Sequence, residues 1–244
     1  MKYAVISDIH ANPVAFEAVL KDVRRQKADR IVCLGDITGY GYDVVESYAL
    51  AKDNCDVLLL GNHDAACAGV EGDALIRCNP NYALDIAERK ALGRNRLAEI
   101  RGLPYTFSCK HFICSHGDLI VPQNFGYVLC VDDAWRNFCA CGRDLMFIGH
   151  THEPAIWSKS GGAPAVERPP DDFIAEPGTL SIVNVGSVGC PRSVRYSSYV
   201  ITEPTDSGLR ISFRRIAFDY VAYRQSLLDA GVYVPLWLED YVRC

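Results

Sequence analysis

The sequence lacks a long apolar run, an excess of basic charge and a recognisable targeting segment, and each absence excludes a class of protein. Apolar runs such as residues 57–60 are far shorter than the roughly 18 residues that a membrane-spanning helix needs. The chain has 30 acidic against 25 basic residues, and the net charge of −5 argues against stable nucleic-acid binding, which needs a basic surface. We therefore expect a cytoplasmic protein with neither a membrane nor a nucleic-acid partner.

Cysteine is abundant, but the close spacing typical of zinc or redox motifs is missing. The chain has 11 cysteines, and the tightest pair, Cys139 and Cys141, has one residue between them. An odd number without a secretory signal favours free thiols. Cys33, Cys55 and Cys114 lie in or beside apolar runs, where a thiol acts as a small hydrophobic group. A redox or zinc-storage protein is the alternative that the cysteines leave open.

The order of the apolar patterns predicts an α/β fold. Three short apolar runs alternate with two segments of helical spacing, at residues 3–7, 13–27, 30–34, 44–51 and 56–60. Asn12, directly before Pro13, is a typical helix N-cap. This β-α-β-α-β order predicts a parallel sheet with right-handed crossovers.

The remainder of the chain is richer in strands, and its length fits a single domain over residues 1–244. Strands are predicted at residues 105–109, 112–115, 145–148, 155–158, 181–185, 196–202 and 209–216, and helices at 82–100, 128–139 and 218–230. A helical insert is expected at about residues 65–104, with Leu84, Ala87, Ala91 and Leu97 on one side. Gly, Pro and Asp predict a surface loop at about residues 160–178.

Residues that can bind metal ions follow the ends of five predicted strands. They are Asp8, His10, Asp36, Asn62, His116, His150 and His152. Ligands of open α/β sheets bind beyond the carboxyl ends of the strands, so we expect these side chains to meet at one edge. Residues i and i+2 of an extended chain point to the same side, which predicts that Asp8 and His10 reach one ion.

The chemistry of these side chains restricts the metal. Imidazole and carboxylate donors without a thiolate suit Mn, Fe, Zn, Co or Ni better than Ca or Cu(I). Gly35, Gly61 and Gly149 precede three of the predicted ligands, and glycine permits a tight turn and a close backbone approach. Each motif alone has an ordinary explanation, such as a helix cap or a buried histidine, but the combination favours a metal centre.

Six stretches form an ordered set from near the start of the chain to about residue 192. They are SDIHAN (residues 7–12), LGDITGYG (34–41), GNHD (61–64), SHG (115–117), GHTH (149–152) and NVGSVG (184–189). In this order they resemble the calcineurin-like metallophosphoesterases, and more closely their bacterial and archaeal phosphodiesterase-like branch. The resemblance implies two packed mixed β-sheets flanked by helices, a four-layer α/β/β/α sandwich with the site at one edge.

The same resemblance implies a dinuclear metal centre and a hydrolytic mechanism. Asp36 would bridge two divalent ions, Asp8, His10 and His152 would complete one site, and Asn62, His116 and His150 would complete the other. A hydroxide that bridges the ions would attack the phosphate ester. His63, oriented by Asp64, would donate a proton to the leaving oxygen.

The substrate surface is expected around the metal ligands. Asn12, Tyr40 and Arg192 are candidates for contacts with the substrate, and Tyr40 and Phe125 could stack on a base or aryl group. The expected substrate is a small phosphate ester or nucleotide, with a phosphoprotein as the alternative, and both diesters and monoesters stay open. The competing function is a non-catalytic protein-binding scaffold on the same fold, although every expected ligand and His63 are present.

Overall fold

Two mixed β-sheets of six strands each form the centre of the protein. The structure, a computed structural model, describes residues 1–70, 82–192, 194–234 and 238, with residues 82–85 described by their backbone. The first sheet has the order β3-β2-β1-β11-β12-β9. Its strands are β1 (Tyr3–Ile6), β2 (Arg30–Cys33), β3 (Val57–Leu58), β9 (Phe173–Ala175), β11 (Ser197–Thr205) and β12 (Gly208–Ile216). As predicted, β1, β2 and β3 are parallel.

The second sheet has the order β4-β5-β6-β10-β7-β8. Its strands are β4 (Thr106–Ser108), β5 (Ile113–Ser115), β6 (Leu145–Ile148), β7 (Ala155–Ser160), β8 (Val166–Arg168) and β10 (Thr179–Asn184). The strands β5, β6 and β10 are parallel; β4 and β7 pair antiparallel to β5 and β10, and β8 pairs antiparallel to β7. Each sheet therefore contains three neighbouring parallel strands, β3-β2-β1 at one side of the first sheet and β5-β6-β10 in the middle of the second.

Helices cover the outer faces of both sheets. They are α1 (Pro13–Gln26), α2 (Val44–Asn54), α3 (Asn62–Ala68), α4 (Tyr82–Arg101), α5 (Val131–Ala140) and α6 (Tyr220–Asp229), with a 3₁₀ helix at Pro122–Asn124. Residues of α1, α2, α3, α4 and α6 share one core cluster with the first sheet, and α5 shares another with the second sheet. No helix within the described ranges is both long and apolar enough to cross a membrane.

The side chains of β1 show how one strand serves two layers. Tyr3 and Val5 belong to the core between the sheets, whereas Ala4 and Ile6 belong to the core under the helices. Successive strand residues point to opposite faces, so a continuous apolar run is buried on both sides. β6 divides its four residues in the same way between the intersheet core and the cluster under α5. The outcome is the four-layer α/β/β/α sandwich.

The predicted surface loop at residues 160–178 needs correction, because the segment contains two strands. These are β8 of the second sheet and β9 of the first. Each of these strands has three residues and lies at the edge of its sheet. The residues of β8 are exposed, and those of β9 are partly exposed. Strands this short with little burial show no apolar alternation, so the Gly- and Pro-rich composition predicts a loop.

The predicted apolar side of the insert helix is wrong at Ala87 and Ala91, whereas Leu97 does pack against the core. Gly93, with a φ of 72°, interrupts α4, so the helical spacing does not continue across it. Ala87 and Ala91 are exposed, whereas Glu88 and Leu92 are buried. Residues 71–81 of the predicted insert lie outside the described residues.

The cysteines are dispersed through the fold. None of the nine that the structure describes forms a disulfide, and Cys33 and Cys114 are buried in the apolar cores. This agrees with thiols that act as small hydrophobic groups.

A partly buried ion pair ties α1 to the first sheet. The Asp22 carboxylate accepts hydrogen bonds from Tyr199 Oη at 2.7 Å and from Arg214 Nε at 2.9 Å. Tyr199 and Arg214 are direct partners on β11 and β12. Burial raises the pKa of Asp22, but the hydrogen bonds from Arg214 and Tyr199 outweigh it, so the pKa lies below its ordinary value. The fold therefore stabilises the charged form of Asp22.

Asp22→Ala is expected to lower the free energy of unfolding by about 1–3 kcal/mol, because the buried Tyr199 hydroxyl would lose its acceptor. Since the folded-state pKa is depressed, this contribution is present at neutral pH and is lost as the pH falls through the folded-state pKa. Urea unfolding at neutral and acid pH measures both effects. Glu17→Ala, on the exposed side of α1, is the matched control, and an equal loss in both variants at neutral pH would contradict the role of Asp22.

Candidate metal centre

The predicted ligands converge at one edge of the sandwich. They follow β1, β2 and β3 of the first sheet and β5 and β6 of the second, so both sheets contribute. Two groups have potential ligand atoms within 4.8 Å of one another, and all their members are buried: Asp8, His10 and His152, and Asp36, His116 and His150. The structure thus brings together residues that are distant along the chain.

In the first group, the facing nitrogens of two histidines are close enough to share one cation. His10 Nε2 and His152 Nε2 are 2.9 Å apart, and Asp8 Oδ1 lies 3.6 Å and 3.3 Å from them. His10 Nδ1 is 2.9 Å from the Thr38 carbonyl oxygen, and His152 Nδ1 is 2.8 Å from that of Cys190. Because a carbonyl oxygen only accepts, each Nδ1 is the donor, and Nε2 of the neutral ring carries a lone pair. Two lone pairs and a carboxylate oxygen therefore face one point.

The second group is joined to the first by Asp36. Asp36 Oδ2 lies 3.2 Å from His116 Nε2 and 3.8 Å from His10 Nε2. His116 Nε2 is also 3.0 Å from Asn62 Oδ1 and 3.2 Å from His150 Nδ1. A single carboxylate oxygen thus faces imidazoles of both groups.

Two carboxylate oxygens at the centre are buried without a hydrogen-bond partner, Asp8 Oδ1 and Asp36 Oδ2. Buried polar atoms in proteins are nearly always satisfied, and an unpaired buried carboxylate is costly. Divalent cations would satisfy both oxygens together with the imidazole lone pairs around them. The carboxylate, imidazole and amide donors fit two such ions, for example Mn, Fe, Zn, Co or Ni.

The pKa values of the two histidines in the second group shift in opposite directions. Burial alone would lower the pKa of His116, but Asp36 raises it to about 9. Burial lowers the pKa of His150 to about 3, and the charge of His116 adds to this effect. The negative charge of Asp36 thus favours positive charge at its side of the second group.

The backbone at the site is left-handed rather than extended. Asp8, His10, Asp36, His150 and His152 have φ values between 50° and 69°, a region that residues other than glycine rarely adopt. The extended geometry predicted for Asp8 and His10 is therefore wrong, although their side chains do meet. A left-handed turn directly after β1 brings them together, and such strain persists only where the surrounding fold enforces it.

None of the three glycines that precede predicted ligands has room for a side chain, and a Cβ on Gly35 would lie 2.5 Å from Gly61 N. A Cβ on Gly61 would lie 2.1 Å from Asp36 Oδ1. A Cβ on Gly149 would lie 2.0 Å from Ser7 Oγ and 2.6 Å from Asp8 Oδ2. The close backbone approach that the sequence predicts at these positions is confirmed.

The NVGSVG motif supports the ligand loops by hydrogen bonds. Asn184 Nδ2 donates to the Gly149 carbonyl oxygen at 2.8 Å and to Thr151 Oγ1 at 2.9 Å. Ser187 Oγ donates to the Asp8 carbonyl oxygen at 2.9 Å. The motif therefore holds the backbone on both sides of the first group, a role that the sequence alone does not assign to it.

His63 lies beside the first group, with its ring 5.1 Å from that of His10. Its Nδ1 is buried without a hydrogen-bond partner. Asp64 does not orient this ring, because Asp64 Oδ1 accepts from the backbone N–H groups of Ile37 and Thr38, each at 3.0 Å. Asp64 instead holds the loop after β2 against α3, which corrects its predicted contact with His63.

Asn12 and Phe125 are parts of the fold rather than of a substrate surface. Asn12 is fully buried, its Oδ1 accepts from Ala15 N at 3.1 Å, and its Nδ2 donates to the Gly189 carbonyl oxygen at 2.9 Å. Phe125 is buried, and its ring forms a T-shaped pair with that of His116. The predicted N-cap at Asn12 is confirmed, and the predicted substrate contacts of both residues are corrected.

Tyr40 lies beside the histidines of the site, and Arg192 is exposed. The ring of half-buried Tyr40 is 4.7 Å from the rings of both His10 and His63. Burial raises the pKa of Tyr40 and that of Tyr127, and the positive charge of Arg192 opposes both shifts. The exposed Arg192 therefore supplies the positive charge that acts on both tyrosines.

Glu88 on α4 supports the site but belongs to no motif. It is buried, and both its carboxylate oxygens lie 3.0 Å from Gly39 N. A Cβ on Gly39 would lie 2.5 Å from His63 Nδ1. Glu88 thus holds the loop after β2 against His63. A single acid in a helix is usually solvated, so nothing in the sequence marks this one.

Comparisons with known proteins agree with the geometry. The calcineurin-like phosphoesterase superfamily domain matches residues 1–207. An uncharacterised protein of Methanocaldococcus jannaschii is 33% identical over 246 residues, which cover 97% of this chain and 95% of that protein. The crystal structure of a metallophosphoesterase from Sphaerobacter thermophilus is 30% identical, with a TM-score of 0.81, and the match covers 100% of this chain and 99% of that one. A hypothetical protein from Pyrococcus horikoshii OT3 has the same fold, with a TM-score of 0.71, 16% identity and coverage of 98% and 96%.

The protein therefore belongs to the calcineurin-like phosphoesterase superfamily. Membership supports a hydrolase that acts on phosphate esters, and the two Asp/His groups support metal dependence. The α/β/β/α sandwich that the sequence motifs imply is confirmed by the two packed sheets and by the Sphaerobacter thermophilus structure.

Glu88→Ala is expected to destabilise the protein by about 1.5–3 kcal/mol, because the buried Gly39 N–H would lose a charged acceptor. Glu88→Gln keeps an acceptor and is expected to lose less. Thermal unfolding of the metal-free protein measures both, with Lys90→Ala at the exposed neighbouring position as the control. If the alanine variant were as stable as the control, Glu88 would not support the loop.

Proposed function

We propose that the protein is a dinuclear metal-dependent phosphoesterase that hydrolyses phosphate monoesters or diesters. The observation that carries the proposal is the position of Asp36 Oδ2. This buried oxygen has no hydrogen-bond partner and lies 3.8 Å from His10 Nε2 and 3.2 Å from His116 Nε2. A carboxylate that faces both groups is suited to bridge two cations. A non-catalytic scaffold would not require this costly arrangement of charge.

The residues of each group have distinct places in the proposed centre. Asp8, His10 and His152 would hold one ion, Asn62, His116 and His150 the other, and Asp36 both. Two bound divalent cations supply a water of lowered pKa and neutralise charge on the phosphoryl oxygens. The chain contributes orientation, because the rings of His10 and His152 are fixed by hydrogen bonds to backbone carbonyls.

A small phosphate ester or nucleotide is the proposed substrate class. Tyr40 offers an aromatic face beside His10 and His63, and the Arg192 guanidinium is suited to pair with a phosphate oxygen. The net charge of −5 disfavours a long polyanion as the substrate. Activity on aryl phosphates and nucleotides, compared with activity on a phosphopeptide, separates this class from the phosphoprotein alternative.

His63 is the proposed proton donor to the leaving oxygen. Its Nδ1 is buried beside Gly39, so Nε2 is the nitrogen that would reach a bound ester. Burial lowers the pKa of His63 to about 4. The ring would therefore gain its proton together with an anionic phosphate, because a nearby negative charge favours the protonated form.

Removal of metal with a chelator is expected to abolish hydrolysis of bis(p-nitrophenyl) phosphate, and added Mn²⁺ is expected to restore it. Metal analysis of the reconstituted protein should give about two ions per chain. Asp36→Asn is expected to reduce this number, whereas Asp206→Asn, at an exposed position, is the matched control. Full activity after complete metal removal would refute the proposed function.

His63→Ala is expected to keep both metal ions and to lower kcat by about 10²- to 10⁴-fold on an alkyl phosphodiester. The loss should be smaller with a p-nitrophenyl leaving group, which departs without a proton. Metal content and kcat on both substrates are the measurements. Loss of metal would make His63 a ligand, and equal losses on both substrates would exclude it as the proton donor.

A further inference from the structure

The four histidines of the metal centre are oriented in two different ways. In His10 and His152, Nδ1 donates to a backbone carbonyl, which fixes the plane of the ring. His116 Nδ1 is buried without a hydrogen-bond partner. Among the described residues, the ring of His150 has one neighbour at hydrogen-bonding distance, His116 Nε2, on the side of the metal ligands. Histidine ligands usually fix their ring through the second nitrogen, so another contact has to hold His150.

Tyr127 covers the ring of His150. The two ring centroids are 3.9 Å apart, and the planes meet at 17°, which is a stacked geometry. A parallel aromatic neighbour restricts rotation of the imidazole and excludes water from one of its faces. Tyr127 lies between the 3₁₀ helix and α5 and belongs to none of the sequence motifs.

The backbone on both sides of Tyr127 is anchored, although its side chain is 52% exposed. The Gly126 carbonyl oxygen accepts from Asp118 N at 2.8 Å. The next residue, Val128, is 1% exposed and belongs to the core under α5. The fold therefore fixes the backbone that carries the exposed Tyr127 ring, and this ring stacks on His150.

We propose that Tyr127 is a positioning residue that holds His150 in the orientation needed to bind the cation of the second group. The proposal rests on the proposed function, since it requires His150 to be a metal ligand. Stacking takes the place of the hydrogen bond that orients His10 and His152. The second group binds its cation more weakly than the first, because an exposed stack restricts a ring less than a buried hydrogen bond does.

Titration of the metal-free protein with Mn²⁺ tests the proposal, with calorimetry for the affinities and the electron paramagnetic resonance of free Mn²⁺ for the stoichiometry. The wild-type protein should bind two Mn²⁺ with different affinities. Tyr127→Ala should weaken the weaker site by about 10- to 100-fold and leave the stronger site unchanged. Tyr127→Phe retains the stack and should retain both affinities.

Leu129→Ala is the matched control, because Leu129 lies in the same segment with a side chain that is 65% exposed. Thermal unfolding of each metal-free variant verifies that it is folded. Two Mn²⁺ in the wild type with unchanged affinities in Tyr127→Ala would refute the positioning role alone. Equal losses in the Ala and Phe variants would refute stacking as its cause. Fewer than two Mn²⁺ in the wild type would refute the proposed function and the positioning role together.

Discussion

Two buried carboxylate oxygens, one on Asp8 and one on Asp36, determine the arrangement of the groups around them. Neither has a hydrogen-bond partner, and both face imidazole nitrogens at 3.2–3.8 Å. Charge in such a position is costly unless cations compensate it. The folded chain therefore holds this negative charge in place by its many contacts elsewhere. The chemistry proposed for the site follows from the same charge, since it attracts the cations that hydrolysis of a phosphate ester needs.

The fold holds the two carboxylates and the imidazoles around them in place through backbone turns and hydrogen bonds. Left-handed turns after the strands place Asp8 and His10, and glycines without room for a side chain let the turns approach each other. Hydrogen bonds from Asn184 and Ser187 hold the turns, and Asp64 holds the loop after β2. Because these supports come from both sheets, the site depends on the packing of one sheet against the other.

The two groups differ in the contacts that hold their histidine rings, so the two halves of the site are not equivalent. The first group is fixed by backbone carbonyls and has His63 and Tyr40 beside it. The second group is bordered by the half-exposed Tyr127 on His150. In the proposed centre, the first group would hold its ion more firmly than the second, and the affinity of the second group would depend on Tyr127.

The sequence by itself predicted the alternation of strands and helices in the first half of the chain, the parallel pairing of β1, β2 and β3, and the candidate metal ligands that follow the strands. These are local patterns, because an apolar run followed by a polar residue is visible within a few positions. Only the tertiary structure decided that the side-chain amide of Asn12 donates a hydrogen bond to the carbonyl oxygen of Gly189, 177 residues further along the chain. Glu88 and Tyr127 likewise acquire their roles from contacts with Gly39 and His150. Contacts between distant segments leave no periodic signal in the chain, so the shape of the site and its supports appear only when the sheets and helices are packed.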